Sequence, residues 1–209
     1  MTSLHKQLEY EIMNMPSGSV LSVADFYRMA SPKTVSKMLT RLEGKGVIEK
    51  VLRSIFWKPD GVNTSPAPHA VAEAIARQNN WHLAPSGETA LHLFGLSRHK
   101  PHIWTYVTNG TYRTYSYDGK EISFTHTSWK FLGKMSERTK LLVQCLKAYG
   151  REYVTEELLV KLAEKIGEHE WKSMLHETAG ITDWISKAVL RMFGKRVTNR
   201  TEYTMEELR

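Results

Sequence analysis

Between Ser31 and Arg41 the segment SPKTVSKMLTR interleaves two kinds of side chain. Lys33, Lys37 and Arg41 recur every four residues, with Thr34, Ser36 and Thr40 beside them. On a helix the three cations fall along one side. Ammonium and guanidinium groups contact phosphates or guanine edges, and serine and threonine hydroxyls contact phosphates or bases. Val35, Met38, Leu39 and Leu42 supply an apolar face on the same helical period. This composition suits a helix lying in the major groove of duplex DNA, where the first turn usually reaches the bases. Lys33, Thr34 and Lys37 are the expected readout residues, with Ser31, Ser36, Thr40 and Arg41 flanking them. Arg53 and Ser54 form a polar break in β-branched and aromatic sequence. They are expected at a hairpin tip, placed to reach a minor groove or a flanking phosphate.

Other chemistries are less well supplied. The chain has nine histidines, but Pro101 separates His99 from His102, and His69, His82, His92 and His126 are scattered. A zinc site needs three or four convergent ligands. Ser86-Gly87-Glu88 reads as a capped helix start, because the glycine-rich loop and lysine of a phosphate cradle are missing. The single cysteine, Cys145, stands on an apolar helix and reads as a core residue; one thiol cannot form an intrachain disulfide. No carboxylate pair has a catalytic setting. No enzyme activity, metal or cofactor is expected.

The elements that must position the cationic helix are legible around it. Leu4, Leu8, Ile12 and Met15 mark a first helix over Ser3–Met15, broken by Pro16-Ser17-Gly18-Ser19. Val20-Leu21 is extended, and Ser22 can cap a second helix, Val23–Met29, with Asp25 in its first turn. Ser31-Pro32 is a strong helix start, since the proline nitrogen falls where no intrahelical donor is needed. That helix runs to Leu42 and stops at Gly44-Lys45-Gly46. A two-stranded hairpin follows over Val47–Lys58. From Lys33 to Lys58 the basic residues are Lys33, Lys37, Arg41, Lys45, Lys50, Arg53 and Lys58, against Glu43 and Glu49.

The segment PDGVNTSPAP, Pro59 to Pro68, has no apolar periodicity and reads as a linker. Helices are expected at Ala70–Asn79, Ser86–Phe94, Ser136–Tyr149 and Thr155–Ile166, and over Glu168–Phe193 with a break near Gly180. Strands are expected at Ile103–Thr108, Tyr112–Tyr117 and Glu121–Thr125, joined by hairpin turns at Asn109-Gly110 and Asp118-Gly119. The expected organisation is α+β: an N-terminal winged helix-turn-helix at 1–60, a linker at 61–68, a larger mixed α/β domain at 69–194, and a mobile polar tail at 195–209.

Two further surfaces carry charge. Arg113, Tyr115 and Tyr117 share one strand face by the two-residue period. Half-buried packing is the ordinary use of such a face; stacking of single-stranded nucleic acid or docking of a protein is the alternative. Lys187, Arg191, Lys195, Arg196 and Arg200 make a late basic group, ordinarily a solvated face. Arg113, Tyr115, Tyr117, Lys187 and Arg191 are the candidate partner surface.

The whole-chain balance agrees with a polyanionic partner: 209 residues carry a formal net charge of +7, with a sequence pI near 9.4. At 41% hydrophobic and 24% charged residues the composition is that of an ordinary globular protein. No apolar run approaches the roughly 18–20 residues of a membrane span. The N-terminus lacks an apolar block before a small-residue cleavage site, so a cytoplasmic location is expected.

Several stretches resemble the AbiEi-like transcriptional regulators, antitoxins of bacterial type IV abortive-infection toxin–antitoxin systems. Ser22-Val23-Ala24-Asp25-Phe26 is similar to a "dF" at that family's second helix. Leu42-Glu43-Gly44-Lys45-Gly46-Val47-Ile48 is similar to its "L-x-x-x-G-x-I", and Arg53-Ser54-Ile55-Phe56-Trp57-Lys58-Pro59 to its "R-G-[VI]-Y-x-x-P". The most distinctive stretch, Ala84-Pro85-Ser86-Gly87-Glu88-Thr89-Ala90-Leu91-His92-Leu93-Phe94-Gly95-Leu96-Ser97, resembles "psg-x-x-A-L-x-x-L-G-L-s". The likeness covers residues 1 to about 130. Ser54 departs from it, standing where the family often has glycine, and would be strained if the turn needs a positive φ. The resemblance implies a repressor that binds its own promoter at inverted repeats. It also implies an antitoxin that counteracts a nucleotidyltransferase-like toxin encoded nearby without a stable complex, repression residing in the N-terminal domain and antitoxicity in the C-terminal one. A winged-helix protein-interaction module, or a ligand-sensing regulator without an antitoxin role, is the alternative from the residues alone.

Overall fold

The computed structural model describes residues 4–167 and 169–206, with side chains described to Gly194. The chain is mixed α+β and divides into two compact units. The first comprises Met1–Leu83, His102–Trp104 and Thr108–His126; the second comprises Ala84–Pro101, Thr105–Val107 and Thr127–Arg209.

The first unit opens with α1 (Leu4–Asn14) and β1 (Val20–Ser22). A short 3-10 turn, Val23–Phe26, stands where a full second helix was expected. Val23 and Phe26 are three apart, lie on the same side of that turn and are both buried. Helix α2 (Pro32–Gly44) follows, then β2 (Glu49–Leu52) and β3 (Ile55–Trp57). The three strands form an antiparallel sheet in the order β1-β3-β2. Leu8, Ile12, Phe26, Leu39, Leu42 and Ile48 are almost fully buried and make the core beneath it.

The proline-rich stretch at 61–68 and helix α3 (Pro68–Asn79) belong to this first unit, so the compact units are drawn differently from a division at 1–60, 61–68 and 69–194. Side chains account for it. The Arg77 guanidinium donates to Asp25 Oδ1 at 2.9 Å and to the Val20 carbonyl at 2.9 Å. Gln78 Oε1 accepts from the Ala24 N–H at 3.1 Å. Further along, Tyr117 Oη donates to the Pro66 carbonyl at 3.0 Å. Loss of apolar periodicity at Pro59–Pro68 marks an irregular connection, and these bonds tie it down.

A second sheet has the order β4-β5-β7-β6, built from β4 (Leu83–Pro85), β5 (Ile103–Thr108), β6 (Arg113–Tyr117) and β7 (Lys120–His126). β6 and β7 pair antiparallel about Asp118-Gly119. Both turn residues have positive φ, 45° and 67°, the requirement of a tight two-residue hairpin. Asn109-Gly110 does not make the expected second hairpin, since β5 has β4 and β7 as neighbours. Asn109 Oδ1 accepts from the His82 N–H at 2.7 Å. A Cβ on Gly110 would lie 2.1 Å from the Trp81 ring. That glycine therefore serves close approach of an indole, and the chain crosses over instead of folding back.

Helix α4 (Gly87–Phe94) precedes β5, and α5 (Glu137–Tyr149), α6 (Glu156–Glu164), α7 (Glu170–Thr178) and α8 (Asp183–Glu206) complete the second unit. Ser136 and Thr155 cap α5 and α6 through hydroxyls that accept backbone N–H groups. Leu142, Leu146, Leu159, Leu162, Met174 and Val189 lie in its core. Helix α8 continues through 195–206, where a mobile tail was expected; those side chains, and all of 207–209, lie outside the described residues. No helix among the described residues is long and apolar enough to cross a membrane.

Candidate functional site

Helix α2 is built from both of its sequence signals. Ser31 is its N-cap, with Oγ accepting from the Thr34 N–H at 3.4 Å and lying 2.9 Å from the Thr34 hydroxyl. Pro32 follows at the first helical position. Val35, Met38, Leu39 and Leu42 are buried on one side. Lys33, Thr34, Ser36, Lys37, Thr40 and Arg41 are exposed on the other. Ser31 and Thr34 are thus part of the cap, while Lys33, Ser36, Lys37, Thr40 and Arg41 project from the helix wall.

Arg53 is exposed at the tip between β2 and β3, where Leu52 opposes Ile55. Ser54 has φ 66°, the left-handed conformation that favours glycine. Its carbonyl accepts from the Val23 N–H at 3.0 Å, so the tip is tethered to the start of the 3-10 turn.

The electrostatic setting separates these cations from others in the same unit. Arg28 pairs with Glu11, Lys45 with Glu9 at 2.8 Å, and Arg77 with Asp25 at 2.9 Å. Lys58 Nζ donates to the carbonyls of Met13 and Met15 at 2.7 and 2.6 Å. The hydrogen bond from Lys45 holds the Glu9 carboxyl below its ordinary pKa. Lys33, Lys37, Arg41 and Arg53 have no ion pair and make no side-chain hydrogen bond among the described residues. Lys50, exposed on β2, is in the same state; it counted toward the basic excess in the sequence but no spacing rule singled it out. Water solvates such cations well, and a polyanion can replace that water without first breaking an internal pair.

The candidate partner surface is placed differently. Arg113, Tyr115 and Tyr117 do share one face of β6, opposite Phe124, Ile122 and Lys120 of β7. Ile122 and Phe124 are buried, so that face packs inward. Tyr117 is buried, with its hydroxyl on the Pro66 carbonyl, and burial raises its pKa. Tyr115 meets Phe124 edge-on at 5.7 Å. Only Arg113 of the three is exposed. The large rings supply packing, the ordinary use of such a face, and the alternative of an open aromatic stacking surface does not apply to Tyr115 and Tyr117. Lys187 and Arg191, in the second unit, pair with Asp183 at 2.8 Å and with Glu156. The side chains of Lys195, Arg196 and Arg200 lie outside the described residues.

Cys145 is fully buried, and Sγ lies 3.3 Å from the Ala90 carbonyl. Burial pushes its thiol up to about 12, which suits a packed side chain and not a nucleophile. Among the described residues no three of histidine, cysteine, aspartate and glutamate come together as a metal site.

The profile of a family of unknown function, DUF6088, matches residues 7–174. Among solved structures, the crystal structure of the Rv2827c protein from Mycobacterium tuberculosis is similar at 13% identity, with a TM-score of 0.41, covering 92% of this chain and 76% of that one. No curated protein matches.

Proposed function

The chain belongs to the DUF6088 family, and on that premise we propose that it is a sequence-specific DNA-binding transcriptional autorepressor. In this reading the first part of the chain is a winged helix-turn-helix. The 3-10 turn Val23–Phe26 stands in for the second helix, α2 is the recognition helix, and β2–β3 is the wing. The observation that carries the reading is the row of cations on α2 and at the hairpin tip that find no counter-charge, within a unit whose other basic residues are mostly engaged. Unpaired Lys and Arg on a helix wall neutralise phosphates and release counterions on binding. Lys33 and Lys37 in the first turns reach base edges, Ser36 and Thr40 add hydroxyl contacts, and Arg53 reaches a flanking phosphate or the minor groove.

An antitoxin role, opposing a nucleotidyltransferase-like toxin encoded nearby, is proposed on the resemblance to the AbiEi-like regulators, with the second unit as its seat. Co-expression with the neighbouring gene tests it: growth rescue by the full chain supports the role.

Anisotropy of a duplex from upstream of the protein's own gene, titrated across a salt series, tests the DNA reading. Four neutralised phosphates give a log–log slope of about −3.6, with tighter binding to the upstream duplex than to a shuffled one. Equal binding to both duplexes would sink the autorepressor reading.

A further inference from the structure

The two sheets have four edges, and three of them are blocked. β4 is three residues long and ends in Pro85. β2 carries Glu49 and Lys50 and is bulged at Val51. β1 is capped on its outer side by Arg77, which donates to the Val20 carbonyl. Short strands, charges, prolines and bulges are the ordinary devices that keep an edge from pairing. β6 has none of the last two and a single charge at its start: its sequence is Arg-Thr-Tyr-Ser-Tyr, and its register with β7 is unbroken.

The direction of its backbone groups follows from that register. Tyr117 and Lys120 close the two-residue turn and are a hydrogen-bonded pair, so Tyr115–Ile122 and Arg113–Phe124 are too. Thr114 and Ser116 therefore turn their N–H and C=O groups away from β7. Both residues are exposed, and neither backbone bonds to another segment among the described residues.

We propose that β6 is a homodimer interface, pairing antiparallel with β6 of a second copy about a two-fold axis through Tyr115. This register opposes Thr114 to Ser116 of the second copy, twice over, so all four outward N–H groups meet outward carbonyls. It also brings Tyr112, just before β6, beside the turn residue Asp118 of the second copy. Tyr112 is 71% exposed, and the Asp118 side chain, 3.7 Å from Lys120 Nζ, is still 57% exposed, so a phenol donor meets a carboxylate with accepting capacity to spare on each side of the axis. The edge is thus self-complementary in backbone, register and side-chain chemistry, which selects a second copy as the occupant. A five-residue edge is small beside the ~1,200–2,000 Å² of a stable interface, so association is reversible. The inference is independent of the DNA reading and is tested on protein alone.

Sedimentation equilibrium of the full chain, from micromolar to millimolar loading, should show the 24.0 kDa mass rising toward twice that value. Ser116→Pro removes one outward donor without touching the β7 ladder, and Thr114→Lys places a charge on the edge. Each should weaken dimerisation at least tenfold, with circular dichroism confirming the fold; should the proline variant unfold, the lysine variant decides. Tyr115→Cys should cross-link on mild oxidation, because residues opposed across the axis as a non-hydrogen-bonded pair have Cα atoms about 4.5 Å apart. Arg113→Cys should not, its two copies being offset by four residues, or about 13 Å. The buried native thiol of Cys145 does not compete. A constant monomer mass, a dimer unchanged by Thr114→Lys, or equal cross-linking of the two cysteine variants would each overturn the proposal.

Discussion

Helices α2 and α8 both carry cations spaced a helical turn apart, yet those cations are held differently. On α8, Lys187 sits 2.8 Å from Asp183 one turn away and Arg191 reaches Glu156 of α6. On α2, Lys33, Lys37 and Arg41 face solvent with no carboxylate beside them. The same residue types thus serve the chain's own surface in one place and remain available in the other. Net charge cannot make this distinction. A +7 chain could spread its excess anywhere, whereas the local absence of counter-charge marks one face.

The comparison breaks most visibly at α2. Replacing Lys33, Lys37 and Arg53 by alanine should reduce affinity for the upstream duplex by more than a hundredfold, at about 1–3 kcal/mol for a base contact plus the lost phosphate contacts. The salt slope should fall by about 2–3 units. Stability in urea should change by less than about 0.5 kcal/mol, as for surface positions without partners. Full affinity in this variant would mean that the unpaired row is only a solvated face.

The paired cations should respond in the opposite sense. Asp25 accepts from Arg77 and from the Ser22 N–H, the latter at 2.8 Å. Asp25→Ala should cost about 1–2 kcal/mol of stability, from the lost cap and charge-assisted bonds, read from the urea midpoint. Folded protein should bind the duplex within about twofold of the parent. A folded variant of parental stability that no longer bound would erase the line between structural and available charge.

These assignments were not equally legible in the sequence. α2 was, because its signals are local: Ser31-Pro32 at the start and apolar residues on one period. The Asp118-Gly119 hairpin was legible for the same reason. Pairing of Lys45 with Glu9, 36 residues away, and of Arg77 with Asp25, 52 away, depends on tertiary structure and left no spacing to read. Asn109-Gly110 misled because the dipeptide signals a turn without saying which strands will pair; here Gly110 lies against the Trp81 ring and β7 sits between β5 and β6. Packing was the ordinary expectation for the face of Arg113, Tyr115 and Tyr117, but a two-residue period does not say that Tyr117 is the ring covered most fully.

Ser54 sharpens the comparison from the hairpin tip. Its φ of 66° costs a residue with a Cβ roughly 1–2 kcal/mol, offset in part by the entropy that glycine loses on folding. Ser54→Gly should therefore stabilise the protein by about 0.5–1 kcal/mol. Unchanged duplex affinity would make the strain incidental. Weaker binding in the more stable variant would show that the strained turn serves to aim Arg53.

The smallest effect is expected on α8. The Lys187 and Asp183 side chains are 70% and 80% exposed, and those of Arg191 and Glu156 are 53% and 47% exposed. Exposed pairs of this kind contribute ~0–1 kcal/mol each because water screens them and two long side chains must be ordered. Lys187→Ala with Arg191→Ala should shift stability by no more than about 1 kcal/mol and leave duplex affinity within about twofold. The two readouts carry different information. A larger stability loss would mean that Arg191 braces α8 against α6 more strongly than an exposed pair ordinarily does. A loss of duplex affinity comparable to that of the α2 variant would be more consequential. Cations already paired within the chain would then be contacting DNA, and the absence of a counter-charge would no longer distinguish a binding face from any other basic helix.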